Sequence, residues 1–135
     1  FKNAKKLIFL RNPYPNQTLA ITKDLFTKLG GFPNLRFAED WVLSAKLLKV
    51  SNYISLIEKP LVYTDDITMV MGRRHGFKIL KEVIKAHIFM ISKSLYLPIY
   101  FPLVLIFQIF LRLMPIKLFN FIYILRIYLN FRRDR

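Results

Sequence analysis

Glu39 and Asp40 stand side by side in a chain that carries only 8 acids against 22 Lys and Arg. They open the run "EDWVLSAKLLKV", where Leu43, Leu47 and Val50 recur at helical spacing with Trp41, Ala45 and Leu48 beside them. Two chemistries fit that position. Carboxylates at a helix N-terminus are favoured by the helix dipole, by roughly 0.3–1 kcal/mol, and Asp before a helix is a common cap. A carboxylate fixed beside an open loop can instead take the proton from an attacking hydroxyl. The preceding "GGF" (Gly30, Gly31, Phe32) offers such a loop, and Trp41 a flat apolar face of the kind that packs on sugar rings, although a Trp on a helix is more commonly core. Arg73 and Arg74 form a second candidate pair, with forked donors suited to phosphate oxygens; the plainer alternative is a solvated or lipid-facing basic turn. His87 falls on an apolar stripe and reads as structural, as does His75. Asp65 and Asp66 would point to opposite faces of a strand, so a turn is expected there rather than a metal pair. No metal site is expected within the chain, and the absence of cysteine excludes thiolate ligands and disulfides.

Two compositionally different parts position these groups. Residues 1–76 hold all four glycines and turn-rich stretches such as "RNPYPNQ" and "GGFPN", and read as α/β. "KLIFL" (Lys6 to Leu10) and "TLAIT" (Thr18 to Thr22) are predicted strands, as are "YISLI" and "PLVYT". "KDLFTKLGG" is a short helix ended by Gly30 in a left-handed cap, and Asp40 to Val50 is a second helix. Residues 77–135 read as a helical membrane-associated tail. Ile79, Leu80, Val83, Ile84, His87, Ile88 and Ile91 form a 3,4-spaced stripe with Lys78, Lys81, Glu82 and Lys85 off it. Ser94 to Leu111 is uncharged over 18 residues, a marginal span carrying Pro98 and Pro102, while Leu118 to Phe131 is too short to span and suits a helix lying in the interface.

The net charge of +14 and the 54% apolar content point to a polyanionic partner, with a membrane face favoured. Nucleic acid is disfavoured because the basic residues flank apolar runs too long for an exposed binding face. The chain opens on Phe without a cleavable signal pattern, and is expected to be a fragment.

Taken in order, "RNPYPNQT", "GGF", "AEDWVLSAKLL", "EKPLVYT" and "RRHGFKIL" resemble the C-terminal half of bacterial family 2 glycosyltransferases that build surface polysaccharide and lipopolysaccharide. The resemblance implies the acceptor-side half of a GT-A fold over residues 1–76, at the cytoplasmic face of the bacterial inner membrane. It implies inverting transfer of a sugar from a nucleotide-sugar to a glycan or lipid-linked acceptor hydroxyl. Asp40 would be the general base, Glu39 and Trp41 would bind acceptor, and Arg73 and Arg74 would meet the donor diphosphate. The family often has Asn-His where Pro15 and Asn16 stand, and an arginine where Thr64, Asp65 and Asp66 follow the "LVY" strand.

Such enzymes hold Mg²⁺ or Mn²⁺ with an Asp-x-Asp motif, and no two of Asp24, Asp40, Asp65, Asp66 and Asp134 are so spaced. The metal ligands are therefore expected in an N-terminal donor-binding half outside this sequence. This chain alone is expected to be inert, and to pair with that half or with a second copy of itself. The rival reading is a non-enzymatic basic anchor or scaffold at a membrane surface, in which the acidic pair only caps a helix.

Overall fold

The computed structural model describes residues 4–14, 16–50, 55, 57, 62 and 74–133, and among them every regular element is helical. In chain order these are α1 (Ala4–Leu7), a 3₁₀ turn (Asn16–Thr18), α2 (Lys23–Lys28), α3 (Glu39–Val50), α4 (Phe77–Ser92), a second 3₁₀ turn (Pro98–Tyr100), α5 (Phe101–Leu113) and α6 (Ile116–Arg133). The expected α/β, GT-A-like architecture is thereby overturned, since no strand occurs among the described residues.

The reason is visible at the predicted first strand. "KLIFL" ends α1 and turns, and its carbonyls are taken by side chains instead of a neighbouring strand: Trp41 Nε1 donates to Ile8 O at 2.5 Å and Gln108 Nε2 to Leu10 O at 3.2 Å. "TLAIT" leaves a 3₁₀ turn at Thr18 and then serves as the entry to α2, where Thr22 is extended and its Oγ1 accepts from Leu25 N at 3.4 Å. Of "YISLI" and "PLVYT", only Ser55, Ile57 and Val62 are among the described residues.

The predicted exit from α2 is found. Gly30 N donates to Thr27 O and Gly31 N to Phe26 O, both at 2.9 Å, with φ of 71° and 60° at the two glycines. This 6→1 and 5→2 pairing satisfies two end carbonyls and needs a left-handed residue after the cap. The glycines differ in surroundings: a Cβ on Gly30 would meet open space, whereas on Gly31 it would lie 3.2 Å from the Phe26 ring. Gly31→Ala should therefore destabilise by about 2 kcal/mol and Gly30→Ala by about 1 kcal/mol, read from paired denaturant melts; equal losses would remove the role given to the Phe26 contact.

α3 supplies the centre of the core. Trp41, Val42, Ala45 and Leu48 pack with Val83, Ala86 and Met90 of α4, and with Ala4, Ile8 and Tyr14. Ser44 is also buried, its hydroxyl donating to Asp40 O at 2.9 Å and to Tyr14 O at 3.3 Å, so the "RNPY" stretch is tied to α3. α4 is amphipathic as its pattern predicts, but the buried face is turned toward Ala86 and Met90, leaving Ile88 54% exposed. α4 contacts both α3 and α5, and that double contact rotates the buried arc away from the sequence stripe.

The long apolar run does not form one helix. Pro98 starts a 3₁₀ turn and Pro102 sits in the first turn of α5, where its missing N–H costs nothing. Met114, extended before Pro115 with ψ of 157°, ends α5 because a residue preceding proline is driven from the helical region. No single helix among the described residues is long and apolar enough to cross a membrane; Pro98–Leu113 and Ile116–Leu125 satisfy that requirement only together, across a 110° bend.

Candidate functional site

The acidic pair occupies the first turn of α3, as its sequence suggests, and the backbone that delivers it is unusual. Ala38, directly before Glu39, is buried with φ of 64°, and its carbonyl receives the first helical hydrogen bond from Val42 N at 3.2 Å. Left-handed backbone at an L-residue other than glycine costs roughly 1–2 kcal/mol and persists only where surrounding packing enforces it. Here the enforcement comes from Ala38 itself lying in the core with Trp41 and Val42.

Glu39 and Asp40 are both half-buried. Asp40 Oδ1 accepts from Trp41 N at 2.8 Å, so one carboxylate oxygen is engaged with the helix start. Neither Asp40 Oδ2 nor Glu39 has a hydrogen bond or ion pair among the described residues, where the ion pair present is Lys85–Glu82 at 2.7 Å. The glycine loop is held beside the same helix by a residue that no sequence pattern singles out. Lys46 Nζ donates to Leu29 O at 2.9 Å and to Gly31 O at 3.1 Å, and its burial, together with the nearby Lys93, lowers its pKa. A lysine on a helix ordinarily reads as solvated surface; no spacing rule marks one that clasps the carbonyls of a preceding loop.

Trp41 turns inward. It is 5% exposed, donates from Nε1 to Ile8 O, and meets the His87 ring edge-to-face at 4.7 Å. Its ring is taken up by the core, which is the commoner role for an aromatic on a helix, and presents no open face to a sugar. Arg73 lies outside the described residues. Arg74 is exposed and belongs to the α5–α6 corner: its carbonyl accepts from Arg112 Nη1, and its Nη1 donates to Tyr123 Oη at 3.5 Å. No hydrogen bond joins it to the carboxylate pair among the described residues.

The histidines are structural in their contacts. His75 Nε2 donates to Met114 O at 2.6 Å and its ring lies 5.5 Å from Phe119. His87 is 1% exposed, with Nδ1 hydrogen-bonded to the Tyr96 hydroxyl at 2.9 Å; burial, and then the Arg112 charge, press its pKa from 6.5 down to about 4. Among the described residues no group of three His, Asp or Glu side chains could hold a metal ion.

Shallow clefts of about 330 and 290 Å³ lie elsewhere, one along α4 at Phe77, Lys81 and Ile84, the other between α1 and α3 at Lys5, Ala45 and Lys49. The acidic pair lines neither.

α5 and α6 form a different kind of surface. In α5 the inward residues are Val104 and Gln108, whose amide donates to Leu10 O, while Leu103, Ile106 and Phe110 face out at 58–67% exposure. The polarity is inverted relative to a helix facing water. Beyond the 110° bend α6 likewise exposes Leu118, Phe121 and Ile124, and the basic groups Arg112 and Lys117 lie at the bend. Exposed apolar side chains in such number are of the kind that associate with protein or membrane. No protein-family model, no curated protein and no solved structure matches the chain.

Proposed function

We propose that this chain is the membrane-attached, acceptor-side part of an inverting glycosyltransferase acting on a nucleotide-sugar donor and a glycan or lipid-linked acceptor, with Asp40 as general base. The observation that carries this reading is the buried left-handed Ala38, which sets Glu39 and Asp40 at the start of a core-packed helix beside a clasped glycine loop. Strained backbone of this kind concentrates where side chains must be held for chemistry. Asp40 Oδ2, without an intrachain bond among the described residues, is the oxygen that would receive the acceptor proton. The outward apolar face of α5 and α6, with a net charge of +14, supports attachment to an anionic membrane, where such an acceptor would be met. The reading stands on the ordered motifs and these placements, and carries no α/β fold with it.

Sugar transfer from labelled nucleotide-sugars, measured in membranes containing the full-length gene product, tests the base. Asp40→Asn should lower turnover by about a hundredfold or more while donor binding is kept. Retained turnover would remove Asp40 from the chemistry.

A second reading, a non-enzymatic anchor at the membrane surface, is favoured by the hydrogen bond from Trp41 N to Asp40 Oδ1. On that reading Asp40→Asn changes only helix stability, by about 1 kcal/mol or less, and leaves membrane binding intact.

A further inference from the structure

We infer that the corner where α4, α5 and α6 meet binds a phosphate group, presented by an anionic lipid headgroup, through the guanidinium groups of Arg74 and Arg112. The inference rests on the membrane-facing reading of α5 and α6. Arg112 is half-buried, its Nη1 donating to Arg74 O and its Nε to Gln108 Oε1 at 3.4 Å, which fixes the guanidinium plane. Arg74 is drawn to the same corner by Tyr123. The corner is closed by Gly76 N donating to Arg112 O at 2.9 Å and by the His75 contact to Met114 O.

The Arg112 guanidinium is thus held against the Arg74 backbone, within reach of the Arg74 charge, and no carboxylate is bonded to either side chain among the described residues. Burial, and after it the Arg74 charge, lower the pKa of Arg112 to about 10. Half-burying a cation without an anion is unfavourable, and Arg112 Nη2 with Arg74 Nε and Nη2, which carry no hydrogen bond among the described residues, are the donors left for phosphate oxygens. The position selects the source of the phosphate. Phe110, Leu113 and Ile116, all exposed and apolar, flank Arg112 in sequence on either side of the bend. Immersing them at the acyl boundary would place Arg112 at headgroup depth.

The test is flotation of the full chain with phosphatidylcholine vesicles brought to equal negative surface charge by phosphatidic acid or by oleate, which is anionic without an added phosphate. The wild-type chain should prefer phosphatidic acid by about tenfold, and Arg74→Gln should abolish the preference, since a hydrogen bond between charged partners contributes on that scale. Lys117→Gln, at an exposed lysine on the same bend, should weaken binding to both vesicles alike. No preference in the wild type, or a preference that survives both Arg74→Gln and Arg112→Gln, overturns the site. Binding to neither vesicle refutes the membrane reading itself. Phosphorus NMR line-broadening of inorganic phosphate then decides between a soluble source, if broadening is seen and is lost in Arg74→Gln, and no site at all.

Discussion

Trp41→Ala should cost about 3–5 kcal/mol of stability, the largest single loss expected in this chain. Three contributions coincide at the residue. The indole is 5% exposed within the cluster that joins α1, α3 and α4, so truncation opens a cavity in a close-packed core. Its N–H donates to Ile8 O, and removing the donor leaves that carbonyl inside with no strand to replace it. Its edge-to-face contact with His87 at 4.7 Å would also go. Trp41→Phe separates these effects: it keeps most of the volume and loses the hydrogen bond, and should cost about 1–2 kcal/mol. Because the chain has one tryptophan, circular dichroism in detergent-solubilised protein must report the melts. A stability of the order of 5–15 kcal/mol would be largely consumed by the alanine variant, which should be partly unfolded at 37 °C. An alanine variant as stable as wild type would mean that Trp41 does not organise this core.

The same residue shows what could be read from sequence alone. The helical spacing around Leu43 and Leu47 identifies α3, and Gly30 identifies the end of α2, because both signals are local and depend on backbone groups within a few residues; the Thr22 cap was hidden inside a predicted strand. "KLIFL" carries the composition of a strand, and what displaced a strand there was hydrogen bonding from Trp41 and Gln108, residues 33 and 98 positions away. No local pattern encodes that. The tail misleads in a different way. A run that is apolar all round has no informative periodicity, so the apolar residues of "YFPLVLIFQIFLRL" do not announce which face is inward; the one signal that could have done so, Gln108 and Arg112 four apart, forms no part of the expectation for this tail. At the candidate site, the position of Glu39 and Asp40 on a helix start was legible. The inward turn of Trp41, the clasp by Lys46 and the strained Ala38 were not, since each is imposed by tertiary packing.

Acidification should weaken the fold well before the carboxylates titrate, and His87 is the cause. Its pKa falls from 6.5 to about 4 on folding, because burial strips water from the cation and Arg112 repels it. The groups against it offer no compensation: the Tyr96 hydroxyl, its own pKa raised to about 12 by burial, stays neutral, and Trp41 presents a ring edge-to-face. At pH 7 the imidazole is neutral in both states and nothing is lost. Between pH 6.5 and 4 the unfolded chain binds a proton that the folded chain refuses, so stability falls as pH falls. With 1.36 kcal/mol per pKa unit, the loss reaches about 2 kcal/mol at pH 5 and about 3 kcal/mol at pH 4. Glu82, whose pKa is lowered first by its hydrogen bond to Lys85, contributes only as pH drops past the ordinary carboxylate value, so the interval from 6.5 to 5 isolates the histidine. Denaturant melts of the wild type and of His87→Phe across that interval make the comparison. The wild type should lose about 2 kcal/mol, while the variant, which fills the site with an aromatic ring and cannot titrate, should be nearly flat. Parallel slopes for the two proteins would assign the acid sensitivity to other groups and leave His87 exposed to solvent in the folded chain.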